Sequence, residues 1–351
     1  MMLQFSAIRL GCDLAESLDE LGLTRHWRKV WLIGDRHAAA TLSMLAGRLP
    51  QAWVAPVVLP HNPVAAILAM FGAAPAGSPD AVIAVGGGSL ADAAKILLAG
   101  AVFETRPRST AELAALATRV LAAGNMIHPD LIQVPTTYAT AAFTPNAALS
   151  ADNAKLIMRA PFLRAEAILC DANLLAAGGE ASLATAFGAL NHCIEGLSGQ
   201  RQERASARRA LEGAADILIR ELLLASERGL DARAAQELIT GSWMASFGVQ
   251  GARLGAGHAL PHVLGAVAGV PHAATSALMV LDGLRRAGDG RMSDIAKVMR
   301  RLNLPLQLGA LGLDDGTREQ ARVSLASHKL FEADVRAGDE QSAAACLARI
   351  D

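Results

Sequence analysis

Along the first half of the chain, short runs of β-branched and apolar residues alternate with stretches whose apolar positions recur every three to four residues. Residues 29–34 (KVWLIG), 52–59 (AWVAPVVL), 81–85 (AVIAV), 130–134 (DLIQV) and 166–170 (EAILC) are short, continuous and bounded by turn residues, the pattern of buried strands. Helical spacing fills most of the intervals. The alternation predicts an α/β domain with a Rossmann-like parallel sheet, helices on both faces and ligands at the carboxyl ends of the strands. Residues 104–128 read as a surface excursion with its own short helix. Beyond about Asn173 no strand-like run recurs, and segments such as 203–226 (ERASARRALEGAADILIRELLLAS) carry helical spacing. A second, all-α domain is predicted, with domains at 1–172 and 173–351 joined by a tight hinge beside a cleft.

Composition agrees with two cores. At 351 residues the chain exceeds the roughly 250–300 at which one core stops growing, and 52% of it is hydrophobic against 19% charged. A formal net charge of −1 provides no field for nucleic acid or an anionic membrane, so the expected partner is a small molecule recognised locally. Apolar runs stop well short of the ~20 residues of a membrane span. The opening MMLQFSAIRL carries a charge inside the run a signal peptide would need, and a cytoplasmic location is expected. Cys12, Cys170, Cys193 and Cys346 show no CxxC spacing and read as buried thiols in a reducing compartment.

The strand ending at Val85 is followed by Gly86-Gly87-Gly88 and then by Ser89, where a helix is expected to start. Glycines let a backbone approach a pyrophosphate, and the N–H groups and positive end of the helix bind its charge. Ser89 is expected to cap that helix. An earlier strand ends at Gly34-Asp35, where a carboxylate accepts hydrogen bonds from the ribose hydroxyls of NAD and repels the extra phosphate of NADP. Arg36 beside it can pair with that phosphate, and Asp35 also reads as a plain helix cap.

The stretch GGGSLADAAK, including Asp92, resembles the GGGSxxDxAK signature of the iron-containing alcohol dehydrogenase superfamily. The segment Pro135-Thr136-Thr137-Tyr138-Ala139, with Thr144-Pro145, is similar to the PTTYAGSEMTP of the maleylacetate reductases, although Thr140-Ala141-Ala142-Phe143 replaces its Gly-Ser-Glu-Met. Lys155, Arg159, Pro161 and Asp171 match a KxxxRxP segment leading to a strand that ends in Asp. The resemblance implies a dehydroquinate synthase-like fold and a homodimer. It also implies that Asp35, Gly86, Gly87, Gly88, Ser89, Asp92, Thr136, Thr137, Tyr138 and Lys155 hold NAD, or alternatively NADP.

In the helical half, His192, His258, His262 and His272 are flanked by small residues, and a His-x3-His pair places two imidazoles on one helix face. Their surroundings resemble the family's DALxHxxE, HxxxHxLG and PHG/A motifs. By that resemblance a metal would have His192, His258 and His272 as ligands, while His262 relays a proton. The fourth ligand is an aspartate in metal-dependent members, and here Gly188 stands in its place. Maleylacetate reductases commonly have Asn there, keep the histidines and work without metal. The leading expectation is therefore a metal-independent NAD(P)H reductase of a keto acid such as maleylacetate, with His192, His258, His262 and His272 catalytic and Arg253 binding a substrate carboxylate. The alternatives are a metal-dependent alcohol or aldehyde dehydrogenase with a three-histidine site, or a non-redox member of the same fold.

Overall fold

The computed structural model describes residues 7–49, 51–55, 62–151, 154–198, 204–250, 252, 254–336 and 342–351. The chain divides into two compact units, Met1–Thr137 with Ala141–Leu175, and Tyr138–Thr140 with Ala176–Asp351.

The first unit is α/β. Its elements are β1 (Ala7–Leu10), α1 (Leu14–Arg25), β2 (Val30–Gly34), α2 (Ala39–Arg48), β3 (Ala52–Val54), α3 (Val64–Ala73), β4 (Ala81–Gly86), α4 (Gly88–Val102), α5 (Thr110–Ala122), β5 (Asp130–Pro135), β6 (Asn146–Ala151), β7 (Ala154–Arg159) and β8 (Ala167–Cys170). Six strands form one sheet in the order β1-β8-β5-β4-β2-β3, and every neighbouring pair is parallel. Because successive strand residues face opposite sides, Val30 and Leu32, with Ile83, Val85 and Ile132, pack against Leu14, Leu18, Leu42 and Leu45 of α1 and α2. On the other face Gln133 donates through Nε2 to Ala91 O of α4 at 3.3 Å.

Two features differ from the sequence reading. The edge strand β1 pairs with β8 where no strand was expected, and β6 and β7 form an antiparallel hairpin in the register Asn146↔Arg159. Residues 104–128 hold the expected helix and are mostly exposed, and α5 buries one stripe, Leu113, Leu116, Ala117 and Val120, at i, i+3, i+4, i+7. The strand expected over 52–59 is described only as far as Val54, and residues 56–61 lie outside the described residues.

From residue 172 onward every regular element among the described residues is helical. These are α6 (Ala172–Ala176), α7 (Gly179–Ala184), α8 (Ala186–Ser198), α9 (Ala205–Arg228), α10 (Ala232–Val249), α11 (Ala256–Ala268), α12 (His272–Ala287), α13 (Met292–Arg301), α14 (Asp315–Ala326), α15 (Lys329–Arg336) and α16 (Ala343–Ile350). One core of the second unit gathers Leu260, Val263 and Leu264 of α11 with Met279, Leu325, Phe331 and Cys346. Tyr138 belongs to this unit: its ring is fully buried, and its N–H donates to Thr185 Oγ1 at 2.9 Å. Among the described residues no helix is long and apolar enough to cross a membrane.

Candidate functional site

In the first unit the chemistry gathers at the carboxyl ends of β2, β4 and β5. Helix α4 begins at Gly88 rather than Ser89, with Gly87 as its N-cap and no side-chain cap bond. The expectation that Ser89 caps it is corrected, because Ser89 already lies in the first turn. An uncapped helix start offers backbone N–H groups and positive potential to an anion. Bare backbone is needed here on both sides of the turn. A Cβ at Gly86 would stand 2.0 Å from Leu90 Cδ1, and one at Gly87 would stand 3.1 Å from Thr137 Cγ2. Thr136 joins the turn through its N–H, which donates to Gly86 O at 3.1 Å. This cradle fits a pyrophosphate.

Asp92, one of the residues expected at the cofactor, is bonded to β6 and lies near a lysine of its own helix. Asp92 Oδ2 accepts from Ala148 N at 3.2 Å, and its Oδ1 lies 3.7 Å from Lys95 Nζ. Lys95 is fully buried and donates to Ala141 O at 2.6 Å and Asn146 O at 2.7 Å. Burial pushes its pKa down to about 8, against the pull of Asp92. Asn62, also buried, donates through Nδ2 to Ser89 O at 2.8 Å and Ala148 O at 3.3 Å. These three side chains therefore tie the hairpin strand β6 to the first turns of α4. Asp92 thus fastens β6 to α4, and Asn62 and Lys95 share its task. The ring of Tyr138, another residue expected at the cofactor, is fully buried.

Asp35 follows β2 and accepts through Oδ1 from His37 N at 2.8 Å and Ala38 N at 3.1 Å, so one oxygen caps the following turn. Lys155 lies in β7 opposite Ser150; its side chain is outside the described part of the structure. Arg253 lies outside the described residues altogether.

In the second unit the four predicted histidines come together. Ring centroids are separated by 4.8 Å for His192–His258, 4.7 Å for His258–His262 and 5.7 Å for His262–His272. His192 Nε2 and His258 Nδ1 are 3.2 Å apart, and the other nitrogen of His192 lies 3.4 Å from Thr140 Oγ1. Burial pushes the pKa of His192 down to about 4, so the ring is neutral at neutral pH. A neutral ring has one donor and one acceptor nitrogen, hence the Thr140–His192–His258 series is polarised as a unit. If Thr140 donates to Nδ1, Nε2–H donates to His258; the reverse order holds if His258 donates.

Sequence reasoning missed two members. Thr140 stood out only as a departure from the family segment, yet its hydroxyl faces His192. His328, just before α15, lies 5.8 Å from His262 by ring centroid and accepts from Leu330 N at 3.3 Å. It sits 56 residues past His272 in an unremarkable segment, and no local signal pointed to it.

The resemblance implies a metal ion at His192, His258 and His272, with no carboxylate at position 188 to join them. Among the described residues no group of three or more His, Cys, Asp or Glu side chains is placed to hold one. Gly188 contributes no donor, and a Cβ built there would meet only His272 Cδ2, at 3.9 Å. The space of a side chain is present and the ligand is missing.

A parallel sheet with a glycine turn leading into a helix, followed by a helical unit bearing clustered histidines, defines a two-part dinucleotide-dependent dehydrogenase fold. Family models agree along nearly the whole chain: iron-containing alcohol dehydrogenase matches residues 6–172, and Fe-containing alcohol dehydrogenase family, C-terminal, matches residues 182–349. The chain belongs to the iron-containing alcohol dehydrogenase family of oxidoreductases. It is 29% identical over 232 residues to the probable alcohol dehydrogenase EutG of Escherichia coli, a match covering 63% of this chain and 55% of that relative. It is 24% identical over 318 residues to the maleylacetate reductase of Rhizobium sp., covering 86% of this chain and 82% of the relative. The crystal structure of that reductase superposes with a TM-score of 0.72 at 21% identity, over 99% of this chain and 96% of the other. Sulfoacetaldehyde reductase from Bifidobacterium kashiwanohense in complex with NAD+ superposes with a TM-score of 0.79 at 17% identity, over 94% and 92%. At these identities the structural likeness establishes the fold.

Proposed function

We propose that this chain is an NAD(P)H-dependent reductase of a keto acid such as maleylacetate, working without a metal ion. The observation that carries the reading is the row of histidine rings beside Gly188, where proton donors are plentiful and the anionic ligand of metal-dependent relatives is missing. The relatives support it, since one is a maleylacetate reductase and another was crystallised with NAD+.

NADH, when bound, supplies a hydride to the carbonyl carbon. The chain's own residues do the rest. Gly86, Gly87 and the first turn of α4 bind the pyrophosphate, and Asp35 at the end of β2 favours NADH over NADPH. The developing alkoxide needs hydrogen-bond donors and then one proton. His192, neutral and held between Thr140 and His258, does not store that proton, which leaves the half-buried His258, His262 and His272 as its source.

Calorimetric titration with NADH and NADPH, followed by NADH oxidation with maleylacetate in EDTA, tests this. The expected result is tighter binding of NADH and a rate that EDTA leaves unchanged. Failure to consume NADH with maleylacetate or other keto acids would sink the reductase reading. Activity lost in EDTA and regained with zinc or iron would instead favour the metal-dependent alternative.

A further inference from the structure

Helix α11 carries both His258 and His262, and it contains a proline, Pro261, in its interior. A regular helix would bond Gly257 O to the N–H of residue 261. Proline has no N–H, so that carbonyl loses its helical partner. Asn191 of α8, only 2% exposed, takes the carbonyl instead: its Nδ2 donates to Gly257 O at 2.7 Å. Four residues along the same face of α8, Glu195 Oε1 accepts from Gly255 N at 2.8 Å, at the N-cap of α11. The close approach requires Gly257, because a Cβ there would stand 3.0 Å from Glu195 Oε1 and 3.3 Å from Asn191 Oδ1.

We propose that Asn191 and Glu195 are positioning residues that set His258 against His192, and that Pro261 creates the carbonyl through which Asn191 does so. The two bonded residues, Asn191 and Gly257, directly precede His192 and His258 in the sequence. A slip or rotation of α11 on α8 breaks both clamp bonds and pulls apart the 3.2 Å approach of His192 Nε2 to His258 Nδ1. The catalytic meaning rests on the proposed reductase reading; the geometric claim does not.

The test is a double-mutant cycle of Asn191→Ala and Pro261→Ala, read first in ligand-free protein labelled with 15N-histidine. In the parent background Asn191→Ala is expected to shift the ring nitrogens of both His192 and His258. In the Pro261→Ala background the shift is small, because the new N–H at position 261 satisfies Gly257 O. The second readout is NADH oxidation with maleylacetate. There kcat falls roughly 10- to 100-fold for Asn191→Ala with the KM for NADH unchanged, and most of it returns in the double variant. Glu195→Gln, whose amide oxygen still accepts from Gly255 N, retains most of the activity that Glu195→Ala loses. Should Asn191→Ala fail to fold, recovery of folding in the double variant supports the proposal and its absence overturns it. Unchanged ring signals, or equal effects in the two backgrounds, also overturn it. A parent that reduces neither maleylacetate nor other keto acids refutes the reductase reading and leaves the spectroscopic arm to decide the clamp.

Discussion

Replacement of His192 by Gln separates a buried titratable ring from a polar group of similar reach. The ring is 8% exposed, and burial lowers its pKa from 6.5 to about 4. Above pH 6.5 it is neutral in the folded and unfolded chain alike, and contributes no pH dependence. As pH falls from 6.5 toward 4, only the unfolded chain takes up the proton, so stability is lost across that window and levels off below it. The full shift corresponds to about 3 kcal/mol, of which about 2 kcal/mol is already lost at pH 5. Glutamine keeps a donor and an acceptor for Thr140 and His258 but does not titrate. Equilibrium urea unfolding of parent and His192→Gln, both in EDTA, at pH 7.5 and pH 5.0 measures the difference. The parent is expected to lose about 2 kcal/mol more than the variant between the two values. Equal losses would refute the claim that His192 is held neutral, as would an NMR titration placing its pKa near 6.5.

Three further substitutions, with one control, probe the other parts of the site. Lys95→Met leaves the carbonyls of Ala141 and Asn146 without their donor, at about 1–3 kcal/mol each, offset in part by no longer burying an ammonium. A net loss of about 2 kcal/mol in chemical unfolding is expected, and an unaffected midpoint would contradict the role assigned to Lys95. Gly86→Ala pushes a methyl against Leu90 and is expected to cost about 1–3 kcal/mol and weaken NADH binding in calorimetry. Gly124→Ala, with nothing within 4 Å, serves as the neutral control. Gly188→Asp places a carboxylate where its Cβ meets only His272 at 3.9 Å, and zinc affinity should rise at least about tenfold. No gain in calorimetry would show that Gly188 is not the position of the missing ligand.

The strands β2, β4, β5 and β8 were legible because each is buried and nearly all apolar. Strand β1 was not: its residues are exposed or half-buried at the sheet edge, and AIRL shows no continuous apolar run. The hairpin NAALSA and AKLIMR escaped notice because alanine favours strands poorly, and its place is set by pairing and by bonds from Asn62, Asp92 and Lys95 that are remote in sequence. Four histidines announced themselves through their spacing on α8, α11 and the start of α12. The bracing residues of the two units did not, because the bonds of Lys95 and Asn62 in the first and Asn191 in the second span 27 to 86 residues of sequence.

The short segment Tyr138–Thr140 has a practical consequence for anyone dividing this gene. It lies between stretches of the first unit, yet it packs as part of the second, with the tyrosine ring wholly enclosed and Thr140 against His192. A fragment beginning at residue 176 would contain every helix from α7 onward, but with a tyrosine-sized void and with Thr185 Oγ1 deprived of the donor at Tyr138 N. The helical half is thus not a transplantable cassette. A chimera that exchanges it with another dehydrogenase must carry the loop around residues 138–140 along with it.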